Sequence, residues 1–375
     1  MGNKLKNFLE EHSKAKIELW SYYLSIYLNI IHRAVGIDQI YLYDVFCGEG
    51  KYEGGESGSP LVTLEKIKEH YDLNNNSCPN IEIQFNDSGQ SEIEKSKKRI
   101  ERVEHFAKEI YKPGNVHITY TDHDAKTILD NTVTEIAKLT SKQRALLFID
   151  PWGYKEIELK QLKTILKNGR TEIILFLPIY LMYMFTNKAI SEDKFPGGKP
   201  LQLFIKELFG VESPDMNSEL KYINSLTQQF KKYLNVAYCT SFSIERNPGH
   251  YFSLFFFTNN KIGFQKMLET KWKLDENNGR GYKIANNKNQ SSMFEVVEVS
   301  NYNELVHKFI KTNKIVTNGQ LLDFGLDNGY LPKHTKMVLD SLKSTNKISL
   351  TSLDNQPALG WYIDNDQRKI QVSLI

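Results

Sequence analysis

A doubly wound, Rossmann-like α/β sheet closed by an antiparallel hairpin, followed by a small separate C-terminal domain, is the architecture that this 375-residue sequence predicts. Three observations lead there. Between residues 40 and 178 short apolar runs alternate with helical stretches, the signature of a parallel sheet with helices on both faces. Two later strand-like runs, 236–244 and 251–258, are joined by a short turn and must pair antiparallel. After residue 292 the order becomes three short helices and two short strands, that of a winged helix.

Residues 14–34 place Ile17, Trp20, Tyr23, Leu24, Tyr27, Leu28 and Ile31 at helical spacing, giving an amphipathic helix that docks on the main domain. Strands follow at 40–46 (IYLYDVF), 81–87 (IEIQFND), 116–122 (VHITYTD), 145–150 (ALLFID) and 171–178 (TEIILFLP), with helices at 60–71, 90–111, 124–139 and 157–168 between them. Residues 201–232 read as helical with a loop, the hairpin turns at ERNPGH, and a helix at 261–272 ends the domain. A parallel sheet with such a hairpin is the methyltransferase variant of the doubly wound fold rather than the dinucleotide one. Residues 273–292, rich in Asn, Gly and Lys, read as a linker or a mobile substrate loop, which sets the domains at 1–272 and 293–375. In the second domain helices are expected at 301–313, 317–327 and 331–348, the last entered through Pro332, with SLTSL and GWYID as a closing hairpin.

Composition narrows the class. With 40% hydrophobic and 25% charged residues and a net charge of +3, the chain reads as soluble and globular, without the basic excess of a protein that coats nucleic acid. Cys47, Cys78 and Cys239 are odd in number and have no metal-ligand spacing, so neither a disulfide framework nor a metal site is expected, and a reducing cytoplasm fits. The polar N-terminus is no signal peptide, Lys6 breaks the myristoylation pattern, and no apolar run has the length of a membrane span.

The residues that carry chemistry cluster at predicted strand ends. Asp44-Val45-Phe46-Cys47-Gly48-Glu49-Gly50 follows the first strand, where glycine permits a tight turn and close approach to a ligand. Asp44, Phe46, Gly48 and Gly50 are the expected cofactor contacts, and Asp44 has the acceptors for a ligand amino group. Ser59 fits an N-cap and Pro60 the first turn of the helix beyond. Asp87, ending the second strand, stands where an acid grips ribose hydroxyls, and Asp122, ending the third, where such domains contact adenine. Alternatively the glycines form an ordinary turn, Asp87 is a solvated strand end, and Asp122 or Asp124 caps the next helix.

Asp150-Pro151-Trp152-Gly153-Tyr154 ends the fourth strand. Amino-methyltransferases of nucleic acids carry Asp/Asn-Pro-Pro-aromatic there, so Asp150, Pro151 and Trp152 are the catalytic candidates, as amine acceptor and stacking platform, with Tyr154 beside the substrate. A rigid Pro-Gly turn around a core tryptophan is the alternative. KSKKR (95–99) reads as a solvated helix face, 187–200 as a possible lid, and Lys333, His334 and Lys336 as substrate contacts on a recognition helix.

Taken together, KIELWSYYLSIYLNI, YLYDVFCGEGKYEGGESGSPL, FND, LLFIDPWGY and YFSLFFFTNNKIGFQKMLETKW resemble the three-Cys-motif partner (TcmP) family over residues 14–272. The resemblance implies a bacterial protein with a methyltransferase-like fold, whose genes neighbour that of a three-cysteine, radical-SAM-type protein. By motif, Asp44, Gly48 and Gly50 match the glycine loop, Ser59 and Pro60 the helix start, and Asp150, Pro151 and Gly153 the fourth-strand motif; Trp152 stands where phenylalanine is frequent and Cys47 where alanine is common. The expected function is S-adenosylmethionine (SAM)-dependent methylation of nucleic acid at a base amino group. The alternatives are an inactive scaffold or an accessory subunit of the radical-SAM-type partner, in phage defence.

Overall fold

The computed structural model describes residues 10–74, 78–110, 112–191, 198–247, 250–276, 279–282, 299–353, 358, 360–364 and 369–375. Parts of the expected lid (192–197), of the linker and of the hairpin turn (248–249) lie outside the described residues. The chain forms two compact units, Met1–Thr270 with Arg280–Ile284, and Lys271–Gly279 with Ala285–Ile375.

The first unit begins with α1 (Glu11–Arg33), β1 (Gln39–Asp44), α2 (Ser59–Leu73), β2 (Asn80–Asn86), α3 (Arg99–Ala107), β3 (Val116–Thr121), α4 (Ala125–Ile136) and β4 (Gln143–Ile149). After a 3-10 turn at Tyr154–Glu156 come α5 (Leu159–Leu166), β5 (Thr171–Leu177), α6 (Ile179–Ser191), α7 (Lys199–Phe209) and α8 (Glu219–Leu234). The hairpin β6 (Tyr238–Asn247) and β7 (His250–Thr258) precedes α9 (Lys261–Leu274), and β8 (Gly281–Tyr282) is the last strand.

These strands form one mixed sheet in the order β3-β2-β1-β4-β5-β7-β6-β8. β1 to β5 are parallel, and β7 runs antiparallel to both β5 and β6. Leaving β8 aside, this is the seven-stranded methyltransferase variant of the Rossmann-like sheet. β5 is buried along its whole length and β4 over ALLFI, as strands covered on both faces must be. The chain order reverses between β1 and β4, so the crevice at their carboxyl ends is where doubly wound sheets bind ligands.

α1 is amphipathic as its spacing predicts. It buries Leu19, Trp20, Tyr23, Leu24, Tyr27, Leu28 and Ile31. Trp20 Nε1 donates to Thr63 Oγ1 of α2 at 2.9 Å, and Tyr23 donates to the buried Glu172 of β5 at 2.5 Å. The helix is thus fixed by apolar burial and by hydrogen bonds that find a partner only in this register.

Four local expectations need correcting. The helix expected from residue 90 starts at Arg99, because Ser91 folds the preceding segment into turns: its Oγ accepts from Ile93 and Glu94 and its N–H bonds Lys97 O. Ser59 is not the N-cap of α2; Gly58 is, and the Ser59 hydroxyl is used elsewhere. Gly281 and Tyr282, inside the segment read as a linker, pair with β6. GWYID does not form the second strand of the C-terminal hairpin.

In the second unit α10 (Val299–Asn313), β9 (Ile315–Thr317), α11 (Asn318–Asp327) and α12 (Pro332–Ser344) are followed by β10 (Ile348–Ser352) and β11 (Ile370–Leu374). The sheet order is β10-β11-β9, all antiparallel, so the partner of β10 is the last strand of the chain. Trp361 and Ile363 of GWYID are buried nevertheless, with Trp361 Nε1 donating to Asp340 at 2.5 Å. The core is Tyr302, Val306, Ile310, Leu321, Val338, Leu339 and Val372. A Cβ on Gly325 would stand 2.6 Å from Thr335 Oγ1, so only glycine lets α11 approach α12 this closely. Among the described residues no helix is long and apolar enough to cross a membrane.

Candidate active site

The carboxyl end of β1 carries the glycine turn. Val45 N bonds Phe148 O of β4 and Cys47 N bonds Asn86 O of β2, tying the turn to both neighbouring strands. Gly48 and Gly50 take φ of +68° and +73°, the left-handed region that favours glycine. At Gly50 a side chain would also meet Val103 of α3 at 3.0 Å. Gly58 N bonds Gly50 O at 2.6 Å, and Lys51 bridges to Ser57, so the intervening loop is closed on itself. Phe46 is half-buried in the turn.

Asp44 is 2% exposed. Its Oδ2 accepts from Ser59 Oγ at 2.6 Å, while its Oδ1 is buried and has no partner. Burial pushes the carboxyl up to about 7, against the Ser59 hydrogen bond and with a further upward push from Asp150. A buried carboxylate oxygen without a donor is costly unless something supplies one.

Asp87 faces the same turn. Its Oδ2 accepts from Gly48 N at 3.0 Å and its Oδ1 from Gly89 N at 2.7 Å, with Arg99 Nη1 at 3.7 Å. It is therefore no solvated strand end: in this structure its carboxylate braces the glycine turn. Glu49 accepts from Arg102, from Ser91 Oγ at 2.9 Å and from Glu92 N at 2.6 Å, and lies 3.6 Å from Arg99 Nε. Two carboxylates and two guanidiniums thus hold the start of α3 against the turn. Asp122 is outside this network, solvent-exposed and paired with Lys98. Asp124 caps α4, accepting from Thr127 N at 3.0 Å.

Asp150, after β4, lies across the switch point from Asp44. Its Oδ2 is paired with Lys16 of α1. Lys16 is 9% exposed; burial opposes its charge, but Asp150, Tyr52 and Asp44 together outweigh that and raise the amine above its ordinary value. Asp150 Oδ1 carries no hydrogen bond among the described residues. Pro151 is buried, whereas the Trp152 ring is 73% exposed, so it is not a core tryptophan. Arg99 lies over that ring at 5.4 Å, linking the Asp87 brace to Trp152, and Trp152 N bonds Glu156 at 2.9 Å. Beside them opens a cleft of about 450 Å³, lined mainly by Trp152, Tyr154, Pro178, Leu181, Phe185 and Leu201. Its walls are mainly aromatic and aliphatic, with Lys155 and Glu156 also in the lining, and suit a flat group with a polar edge.

Reading the sequence alone missed Lys16 and Arg99. Lys16 had a signal: it is the one cation in the buried stripe Lys16-Leu19-Trp20-Tyr23, and a lysine there needs a buried anion. Arg99 had none, since KSKKR looks like a solvated face until its last residue turns inward. In the second unit Lys333 and Lys336 are exposed on α12. His334 is not available for substrate: its Nδ1 accepts from Leu331 N at 3.1 Å, capping α12, and its ring packs on Trp272 at 4.1 Å. Burial holds its pKa down at about 4.

No protein-family model matches this chain, and no curated protein does. Among solved structures, a loganic acid methyltransferase with SAH aligns over 68% of this chain and 99% of that chain, at 9% identity and a TM-score of 0.27.

Proposed function

We propose that the first unit is a SAM-dependent methyltransferase domain and that its substrate is a nucleic-acid base amino group. The observation that carries the cofactor reading is Asp44: a buried carboxylate with one oxygen unpartnered, set beside a turn whose glycines leave the backbone bare. That oxygen suits the cationic amino group of SAM, and the turn between Phe46 and Gly50 suits the carboxylate-bearing chain. Asp87 keeps the turn in shape, and its remaining lone pairs are the candidates for ribose hydroxyls. SAM supplies an electrophilic methyl group on sulfonium.

Asp150 stands two residues before Trp152 of the cleft; Lys16 fixes its Oδ2, which leaves Oδ1 to accept a hydrogen bond from the target amine. That contact would aim the nitrogen lone pair and take up positive charge as the N–C bond forms and the methyl C–S bond breaks, with S-adenosylhomocysteine as leaving group and the surplus N–H proton passing to solvent. Trp152 offers a stacking face for the ring that bears the amine. In the second unit, the order of three helices and an antiparallel sheet supports a winged helix, and exposed Lys333 and Lys336 on its third helix support a grip on phosphates.

The test is calorimetric titration of SAM and S-adenosylhomocysteine into the full chain, with D87A as control, followed by methyl-transfer assays on DNA and RNA oligonucleotides. Binding by the wild type that D87A removes is expected, with transfer that D150A lowers by about 100-fold or more while SAM affinity stays within about threefold. A folded wild-type protein that binds neither ligand would overturn the cofactor reading. Turnover retained by D150A would remove Asp150 from catalysis.

One observation favours a second reading. Asp150 is already neutralised by Lys16, as expected of a scaffold that has given up transfer. On that reading SAM binds, no oligonucleotide is methylated, and the chain copurifies with a radical-SAM-type partner.

A further inference from the structure

At the amino ends of the strands, across the sheet from the candidate active site, three side chains with metal-binding atoms converge. His32 lies in the last turn of α1, His70 in the last turn of α2, and Cys78 in the loop entering β2. One ligand atom from each lies within 4.8 Å of the other two. The two imidazoles meet edge to face, with ring centres 5.3 Å apart. His70 is 5% exposed, and its Nε2 is buried without a hydrogen-bond partner; His32 Nδ1 is likewise buried and unpartnered. Two orphaned ring nitrogens on neighbouring imidazoles beside a cysteine are hard to explain as packing alone, since buried polar atoms ordinarily find partners.

We propose that His32, His70 and Cys78 form a zinc site with three protein ligands and a fourth position left to solvent. Two imidazoles and a thiolate are a borderline-soft set that suits Zn²⁺ over the oxygen-seeking Mg²⁺ and Ca²⁺. In a tetrahedral zinc centre ligand atoms stand about 3.3–3.8 Å apart, as Zn–N and Zn–S bonds of about 2.0–2.3 Å require. Closing from 4.8 Å needs a contraction that side-chain rotation supplies, most readily at Cys78, which lies in neither helix nor strand. Burial pushes the Cys78 thiol up, and a bound dication would reverse that.

The site has no motif because its ligands come from two helix ends and a loop; spacing along the chain carries no information about them. Its effect would be to pin the carboxyl end of α1, the helix whose other end delivers Lys16 to Asp150. Those two ends are about 24 Å apart at 1.5 Å per residue.

The experiment is a Co²⁺ titration of the untagged full chain after dialysis against chelator. A single equivalent is expected to give tetrahedral ligand-field bands with a thiolate-to-cobalt charge-transfer band, bleached by Zn²⁺. C78S should lose the charge-transfer band, and both C78S and H32Q should weaken Zn²⁺ binding by about 100-fold or more. C78S and H32Q alter the less buried ligands, so folding of the variants is checked by circular dichroism without touching His70. A folded wild-type protein that shows no Co²⁺ spectrum would overturn the site, as would a spectrum that C78S and H32Q leave unchanged.

Discussion

Asp44 and its neighbours set a pH dependence that separates folding from ligand binding. Burial lifts this carboxyl from its ordinary 3.8 to about 7 in the folded chain. The folded state therefore resists its ionisation: the stability contributed by the protonated form is fully present below about 4 and is lost as pH rises through about 7. A cationic amino group needs the opposite state. SAM affinity should fall about tenfold for each pH unit below about 7, the equivalent of about 1.4 kcal/mol per unit. Calorimetry between pH 5.5 and 8, chosen as roughly the range over which such a group titrates, checks this. D44N should bind weakly at every pH and show no slope. A flat profile in the wild type would mean that Asp44 is not the amino-group acceptor.

At the scale of the element, α1 has two roles. Its apolar stripe covers the sheet, and its first turns insert a cation into the carboxyl edge. Trp20, Tyr23 and Lys16 each reach a different partner, Thr63, Glu172 and Asp150, on α2, on β5 and after β4. K16M keeps the bulk and removes the charge, leaving Asp150 with no counter-ion. Breaking a fully buried pair costs about 3–5 kcal/mol, and because Asp150 is partly open to solvent the expected loss here is about 2 kcal/mol. Urea denaturation measures it, and a K16M variant as stable as the wild type would mean that the pair contributes nothing to docking. The stripe itself was legible, as were the five parallel strands and the hairpin, because each is an apolar run of fixed period bounded by Gly, Pro or Asn. The start of α3 was not, because a serine side chain satisfied the backbone locally where charge patterning suggested helix. Nor was the strand that pairs with β10: GWYID and Ile370–Leu374 both bury alternate apolar residues, and only the register with Val316 of β9 separates them. In the site the acids at strand ends were visible one by one. That Asp87 serves the turn, and Asp150 a lysine, depends on contacts across long stretches of chain.

For the whole molecule, the division into two units assigns different physics to each. The first holds the buried charges, the glycine turn and the aromatic cleft. The second carries exposed lysines on α10 and on α12, where Lys333 and Lys336 are exposed and Lys336 stands 3.9 Å from Asp340. A net charge of +3 is too small for the whole surface to attract a polyanion, so any nucleic-acid affinity must come from such a local patch. Replacing both lysines with glutamate should therefore weaken binding strongly and flatten its salt dependence. The slope of log K against log salt should fall by about 0.9 for each phosphate that the variant no longer neutralises on duplex, or about 0.7 on a single strand. SAM affinity, set in the other unit, should not change. H334A is the informative contrast: its ring caps α12 and packs on Trp272, so it should lower the melting temperature of the second unit without altering the salt slope. Fluorescence anisotropy with labelled duplex and single-stranded oligonucleotides at several salt concentrations separates these effects. A charge-reversed variant that binds as tightly as the wild type, with the same slope, would mean that α12 does not read phosphate, and the second unit would then be a docking module for protein.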